Sequence, residues 1–474
     1  MFRPKAAEQQ SSLWIATSDL PITPVHGFYE RLDRALAKSG FGDTVRALCA
    51  SCYEMDAARG GRPGIDPEVY FKMLMIGFFE NLASERAIAA RCADSFSIRA
   101  FLRYGVTERT PDHTTLTVIR QRLSAAIYQE VFAIGLRALK RHKLLRGKRL
   151  AIDASVLEAN ASLRALEHRL TGEAYGVYVE KLAKAAGVDP RDAAAVRRFD
   201  RKRKGRKTSN AEWTNPHDPD AKVGRTKRGV TRMVYKPEHV VDLDSGAIVD
   251  VDVRPGDEHD TAALTERVLD VEERLNTALG EPPQTAQVEI LVADKGYFKV
   301  AEVETLQAVG IRTAMRDPIE TRRVDRLTAA QRHAVRNAER TVRSQTGKAL
   351  LRRRGELVER GFAHVLDNGG ARRTTLRGRE NIWKRYLIQA MCANLSLLLR
   401  ACVGVGTPKQ ALAASVALSA TFRASIHELV MTWARVLHHW RFWNHPEHSM
   451  RTASAIASPL TTQTHHKISI STAC

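Results

Sequence analysis

The sequence predicts an α/β protein whose mixed-sheet core is preceded by an all-α N-terminal domain and followed by a helical C-terminal segment. Three observations support this prediction. Between about residues 20 and 146, apolar residues recur at helical spacing without strand-like alternation. From Lys148 onward, short β-branched runs alternate with amphipathic stretches, and after residue 400 the pattern is helical again. We therefore predict three parts, residues 1–146, 147–400 and 401–474, the last ending in a loose tail.

Local signals place the N-terminal helices. Residues 67–82 open on a proline, which suits a first helical turn, and then carry a broad apolar face. Ser84 precedes the next helical stretch as a capping residue should, and Asp112 or Thr114 begins a later one. The region is thus expected to consist of compact helices joined by short turns.

The core is predicted from the change of periodicity after Lys148. A short apolar strand ends at Asp153, and a long basic insert follows, at about residues 160–232. Two β-branched runs then flank the turn Ser245–Gly246, which predicts an antiparallel hairpin. The later predicted elements are a helix over 261–279, a buried strand ending at Asp294, a helix over 300–310, a fifth strand near 311–316 and further helices. Antiparallel strands that lead into a βα alternation match an RNase H-like topology.

The charge balance favours a polyanionic partner. Lys and Arg number 74 against 53 Asp and Glu, a net charge of +21. Such an excess repels itself unless an anion is bound, which favours nucleic acid, although a basic protein with solvated cationic faces has the same composition. Four basic stretches, 197–207, 225–229, 351–355 and 371–379, are expected to contact DNA phosphates. The candidate residues in these stretches and beside Asp294 are Arg201, Lys202, Arg203, Lys204, Arg352, Arg353, Arg354 and Lys295. The run at 197–207 could instead be a solvated insert, and Trp213 in the insert could stack on a base or pack locally.

Three acids are candidates for chemistry: Asp153, Asp294 and Glu359. Each aspartate ends a strand, and the two strands are neighbours in the predicted topology. Clustered carboxylates repel one another, so such a cluster requires cations, and an all-carboxylate site suits Mg²⁺ or Mn²⁺. Two ions would support in-line phosphoryl transfer. The alternatives are ordinary ones: a strand-terminal Asp can be a turn former, Glu359 can be a solvated ion-pair partner, and Glu356 lies one turn earlier.

The chain carries, in this order, the phrases GRPGIDPEVYFKMLMIGFFENLASERAIAARC, FSIRAFLRYG, PDHTTLTVIRQRL, AIDASVLEANA, YKPEHVVD, VADKGY, RGELVERGFAHV and CANL. This ordered set resembles the DDE transposases of bacterial insertion sequences, which carry a helical N-terminal domain before an RNase H-like core. The resemblance implies that Asp153, Asp294 and Glu359 are the catalytic acids. Two departures from the family pattern surround Glu359, because Leu351 stands near an expected tyrosine and Leu366 near an expected basic residue.

The resemblance implies cleavage of the element's ends and their joining to target DNA, with two Mg²⁺ ions, terminal repeats recognised by the N-terminal helices, and a multimer on DNA. An inactive DNA-binding derivative and an RNase H-like nuclease without strand transfer are the rival hypotheses. The N-terminus shows no signal-peptide pattern, and no run approaches a membrane span, which predicts a cytoplasmic, nucleoid-associated protein without a membrane partner.

Overall fold

The computed structural model describes residues 24–57, 64–204, 209–226, 229–259, 263–280, 288–319 and 324–443. The chain up to Leu412 belongs to one compact unit, and a second unit begins at Ala413. These units are defined by compactness. The predicted boundaries at residues 146 and 400 divide the chain by function, and they stay a prediction.

The described N-terminal region is helical, as predicted. Asp66 caps the helix that begins at Pro67, since its Oδ1 accepts a hydrogen bond from Glu68 N at 2.8 Å. Ser84 and Asp112 cap later helices in the same way, which confirms both predicted starts. The helices are α1 (Pro24–Lys38), α2 (Phe41–Ala57), α3 (Pro67–Phe79), α4 (Glu85–Asp94), α5 (Phe96–Phe101), α6 (His113–Arg122) and α7 (Ala125–Arg141).

The sheet of the core is mixed, as the strand pattern predicts. Its central strand β1 pairs in antiparallel fashion with β6 and in parallel with β8, and β8 pairs in parallel with β9. The long strand β6 also pairs with β2, β5 and β7, while β3 and β4 form a separate two-stranded sheet. The strands are β1 (Arg149–Ala154), β2 (Leu157–Glu158), β3 (Glu167–His168), β4 (Trp213–Thr214), β5 (Lys222–Arg225), β6 (Thr231–Asp242), β7 (Ile248–Pro255), β8 (Ile290–Ala293) and β9 (Arg312–Ala314).

Helices cover the sheet and join it to the N-terminal region. Helix α13 packs against β1, β6, β8 and β9, whereas α14 contacts β7, α3 and α7. Asn394 of α14 holds β7, since its amide both accepts from Ile248 N at 2.9 Å and donates to Ile248 O at 2.8 Å. The remaining helices are α8 (Tyr175–Ala185), α9 (Ala193–Lys202), α10 (Leu264–Leu279), α11 (Val300–Ala308), α12 (Ala329–Arg343), α13 (Gln345–Phe362), α14 (Arg379–Val403) and α15 (Pro408–Trp443).

One hydrophobic core runs from the N-terminal helices into the sheet. Length and composition mark a single candidate membrane-spanning stretch in the described part of the chain, within Arg379–Leu437, and 56% of its most apolar window is buried inside the protein. Its first half is α14, whose buried residues belong to this core. A buried core helix meets the same criterion of length and composition.

The basic insert is folded over most of its length. Helices α8 and α9 pack together through Val179, Ala183 and Val196. Trp213 is 4% exposed and meets the ring of Tyr175 edge to face at 5.1 Å. Trp213 therefore packs locally, the second of its two predicted roles. The four short strands β2 to β5 were not predicted, because two to four residues are too few to show a period.

Candidate active site at the strand ends

The sheet places Asp153 and Asp294 side by side. Ile152 in β1 is the register partner of Ala293 in β8, and each aspartate is the next residue of its chain. Because neighbouring strands lie about 4.8 Å apart, the two carboxylates leave the same edge of the sheet as neighbours. Asp153 is half-buried and Asp294 is exposed. The structure thus brings together the two aspartates that lie 141 positions apart in the sequence.

A guanidinium group lies against Asp153. Arg354 of α13 donates from Nη2 to Asp153 Oδ2 at 2.7 Å, and Ala154 N donates to Asp153 Oδ1 at 2.9 Å. The Arg354 side chain is 15% exposed. The positive charge of Arg354 therefore compensates the carboxylate of Asp153. Arg354, which the sequence marks as a DNA contact, is occupied within the site.

A buried hydrogen bond holds the turn that carries Asp294. Lys295–Tyr297 forms a single 3-10 turn, in which Tyr297 N donates to Asp294 O at 3.0 Å. The Tyr297 ring is buried, and its hydroxyl donates to Glu238 Oε2 at 3.1 Å. Lys295 is exposed beside the aspartate. The turn thus offers a carboxylate and an amine to solvent while a buried tyrosine holds it in place.

Glu238 belongs to a group that we call the buried charge network: Glu238, Asp250, Arg254 and Arg267. Arg254 Nη2 lies 2.7 Å from Glu238 Oε2, and Arg267 Nε lies 3.1 Å from Glu238 Oε1. Arg267 Nη1 also lies 2.5 Å from Asp250 Oδ2. Burial raises the pKa of Glu238, and the two arginines lower that pKa in part. Burial lowers the pKa of Arg267. The negative charges of Asp250 and Glu238 raise this pKa by more, so the net shift is upward.

Sequence reasoning assigned no role to this network. Its one signal is a glutamate inside a run of strand residues, YKPEHVVD, where a charge is costly unless it is paired. Its partners could not be read from the sequence, because Arg267 and Tyr297 are 29 and 59 residues away from Glu238.

His239 anchors α13 next to the site. His239 is the register partner of Asp153, and its ring stacks on Phe362 of α13 with the ring centroids 4.0 Å apart. Its Nε2 shares a hydrogen bond of 2.7 Å with the hydroxyl of Tyr386. Burial lowers the pKa of His239 to about 3, so the ring is neutral at neutral pH. A neutral stack thus holds the C-terminal end of α13 against the sheet.

The two glutamates of α13, Glu356 and Glu359, are exposed. Leu357 and Val358 are buried, whereas Glu359 is exposed. Glu356 forms an ion pair with Arg360 one turn later. Among the described residues, no three His, Cys, Asp or Glu side chains lie close enough together to hold a metal ion. The structure brings the two aspartates together and does not join Glu359 to them, so the third carboxylate stays a prediction.

The other predicted DNA contacts differ in how they are held. Arg203 donates from Nε to Asp200 Oδ1 at 2.8 Å and is only 11% exposed. Arg353 donates from Nη2 to the carbonyl oxygen of Asp244 at 2.7 Å. The exposed members of the predicted set are Arg201, Lys202, Lys204, Lys295, Arg352 and Arg353.

Two family models match the chain. A transposase domain matches residues 22–122, and a transposase DDE domain matches residues 192–395. Together they cover about two thirds of the sequence, and the second includes Asp294 and Glu359 but begins after Asp153. The chain belongs to the DDE transposases of insertion sequences, which confirms the resemblance. No curated protein and no solved structure matches it.

Proposed function

We propose that this protein cuts DNA at the ends of its own insertion sequence and joins those ends to target DNA, with Asp153 and Asp294 as the central catalytic carboxylates. The observation that carries the proposal is the register Ile152 to Ala293, which sets both carboxylates at one sheet edge. We assign the core to the RNase H-like fold, on the basis of a mixed sheet with a central β1 between antiparallel β6 and parallel β8 and of the match to the DDE domain.

The residues at this edge fit a divalent cation. Two neighbouring carboxylates supply the hard oxygen donors that Mg²⁺ or Mn²⁺ prefers, and one of them already attracts a guanidinium. Asp153 and Asp294 would hold the metal, with Glu359 as the third acid. Bound there, two such ions would polarise the phosphate and activate the attacking oxygen.

The protein's own groups prepare the site. Glu238 and Tyr297 hold the turn that presents Asp294, and the stack of His239 on Phe362 holds the helix that carries Glu359. When a divalent cation neutralises Asp153, the guanidinium of Arg354 becomes available to a DNA phosphate. We propose that residues 1–146 recognise the terminal repeats and that the protein acts as a multimer on DNA, because two ends are processed together.

A cleavage assay on a duplex that contains one end of the element tests the proposal. With Mg²⁺ present, we expect Asp294→Asn to abolish both cleavage and strand joining, because the variant loses one of two adjacent anionic ligands. The matched control is Asp270→Asn, on the exposed side of α10, which should cleave like the parent protein. Full activity of Asp294→Asn would overturn the mechanism.

The same assay separates the rival hypotheses. Cleavage without joined products would identify a nuclease on this fold. Duplex binding without any cleavage by the parent protein would identify an inactive DNA-binding derivative. One observation favours that second candidate: Glu359 does not join the two aspartates in a group of three acids among the described residues.

A further inference from the structure

A polar cavity of about 510 Å³ opens beside β2 and β6. We call it the arginine cavity, after four lining residues: Arg164, Arg232, Arg373 and Arg377. Arg373 and Arg377 belong to the basic stretch 371–379, which the sequence predicts as a phosphate contact, whereas Arg164 and Arg232 lie outside the predicted basic stretches.

The cavity holds more positive charge than its own residues neutralise. One carboxylate, Glu158, is found among its described lining residues. The Glu158 Oε1 atom lies 3.4 Å from Arg232 Nε and 4.0 Å from Arg373 Nε. The two arginine side chains are 51% and 71% exposed. Four guanidinium groups face one carboxylate, so the cavity carries a net positive charge that attracts an anion.

The walls of the cavity are cross-linked by hydrogen bonds. Glu158 N donates to Arg372 O at 3.0 Å, and Thr374 N donates to Glu158 O at 3.0 Å. Asn160 Nδ2 donates to Thr375 O at 2.9 Å, while Arg377 Nε donates to Asn160 O at 3.3 Å. These hydrogen bonds fix the backbone of the two segments that carry the arginines. The binding of an anion therefore costs less conformational entropy.

The cavity lies at a defined separation from the strand ends. Along β6, Asp153 is the partner of His239 and Glu158 is the partner of Val234, so β1 and β2 follow the same strand one after the other. Five residues of extended chain span about 16 Å. The separation of five residues is odd, so the side chains of Asp153 and Glu158 point to opposite faces of the sheet.

We propose that the arginine cavity binds phosphates of the DNA duplex at a second contact, separate from the phosphate that is cut at Asp153 and Asp294. Guanidinium groups suit this ligand because each can donate two parallel hydrogen bonds to one phosphate. The inference rests on the proposed function for DNA as the source of the anion. The anion binding itself follows from the charge and the geometry of the cavity.

The test compares two double variants of equal charge. Arg373→Gln with Arg377→Gln removes two cavity cations, and Arg336→Gln with Arg343→Gln removes two exposed arginines of α12. Binding of a fluorescein-labelled 30-base-pair duplex is followed by anisotropy in EDTA over a range of KCl concentrations. For the cavity variant we expect Kd to rise about tenfold near 0.1 M salt and the slope of log K against log salt to fall by about 2.

The α12 variant should keep the parental slope. An equal change of slope in both variants, or in neither, overturns the cavity as a phosphate site. Because EDTA prevents cleavage, this result is independent of the catalytic proposal.

A second measurement locates the contact. Single neutral methylphosphonate groups are placed at successive positions of one strand. In the parent protein, the affinity should drop at a discrete set of positions, and the cavity variant should be insensitive at those positions. Loss at the same positions in the cavity variant would show that other residues hold these phosphates.

Discussion

The buried charge network and the arginine cavity use the same residue types in opposite ways. In the network, Arg254 and Arg267 are 7% and 13% exposed, and both contact Glu238, which is 2% exposed. In the cavity, Arg232 and Arg373 are at least half exposed and share the single carboxylate of Glu158. Both regions adjoin β6, about 4 residues apart along that strand.

This difference in burial and pairing separates arginines that stabilise the fold from arginines that can bind a ligand. A buried charge is tolerated only when hydrogen-bonded partners of opposite charge surround it, so the network must be complete within the chain. An exposed arginine remains solvated and needs no such partner. An excess of exposed arginines in a concave site therefore indicates an anion from outside, whereas a balanced buried set indicates support for the neighbouring site.

The largest effect is expected from breaking the network at its centre. We predict that Glu238→Gln lowers the free energy of unfolding by about 3 kcal/mol, because it leaves Arg254 and Arg267 with less compensating charge in a buried place. Urea denaturation measures this change. The control is Glu258→Gln, whose carboxylate also contacts Arg254 but is 36% exposed, and whose loss should cost less than about 1 kcal/mol. Equal effects of the two variants would contradict the comparison.

A smaller effect is expected from the pH dependence of His239, which adjoins Glu238 in β6. Its pKa in the folded protein is about 3, which is well below the ordinary histidine value of about 6.5. Below pH 6.5 the unfolded chain therefore takes up a proton that the folded chain does not, and stability falls as the pH falls toward 3. Between pH 7 and pH 5 the loss due to this residue should be about 2 kcal/mol.

Urea denaturation at both pH values isolates this contribution. His239→Gln should lose about 2 kcal/mol less than the parent protein between pH 7 and pH 5. The exposed His217 supplies the control variant His217→Gln, which should retain the parental pH dependence. A parental pH dependence in His239→Gln would show that the buried ring does not control stability in this range.

The smallest effect on stability is expected in the arginine cavity. We predict that Arg232→Gln changes the free energy of unfolding by less than about 0.5 kcal/mol, because its ion pair with Glu158 is half exposed and screened by solvent. The same substitution in the network, Arg267→Gln, is the matched comparison and should cost several times more. A large loss of stability in Arg232→Gln would assign the cavity a structural role.

Much of the fold could be predicted because its signals are local. The proline at Pro67 and the capping side chains of Ser84 and Asp112 act within one turn of the helices they begin. The β-branched runs on either side of Ser245–Gly246 predicted the hairpin, which the structure forms as β6 and β7. The family was predicted from short sequence motifs distributed over the chain.

The candidate site was predictable only in part. A polar residue after a buried strand marked Asp153 and Asp294, and the topology made the strands neighbours. The partner of Asp153 could not be predicted, because Arg354 lies 201 residues away, and the basic run RRRG contains three equivalent candidates. In the arginine cavity, the basic stretch 371–379 marked Arg373 and Arg377 in advance, but their meeting with Arg164 and Arg232 could not be predicted, because the lining segments come from β2, the insert and the chain before α14.

The sequence by itself determined the helices, the main strands, the charge excess and the two strand-terminal aspartates, because periodicity, capping and composition act over a few residues. Only the tertiary structure decided which charges meet. Glu238 is enclosed by arginines from β7 and α10, Arg354 reaches Asp153 from α13, and four arginines remain without enough partners around one cavity. Ion pairing depends on distances of a few ångströms between residues far apart in the chain, and those distances exist only after the sheet and its helices have packed.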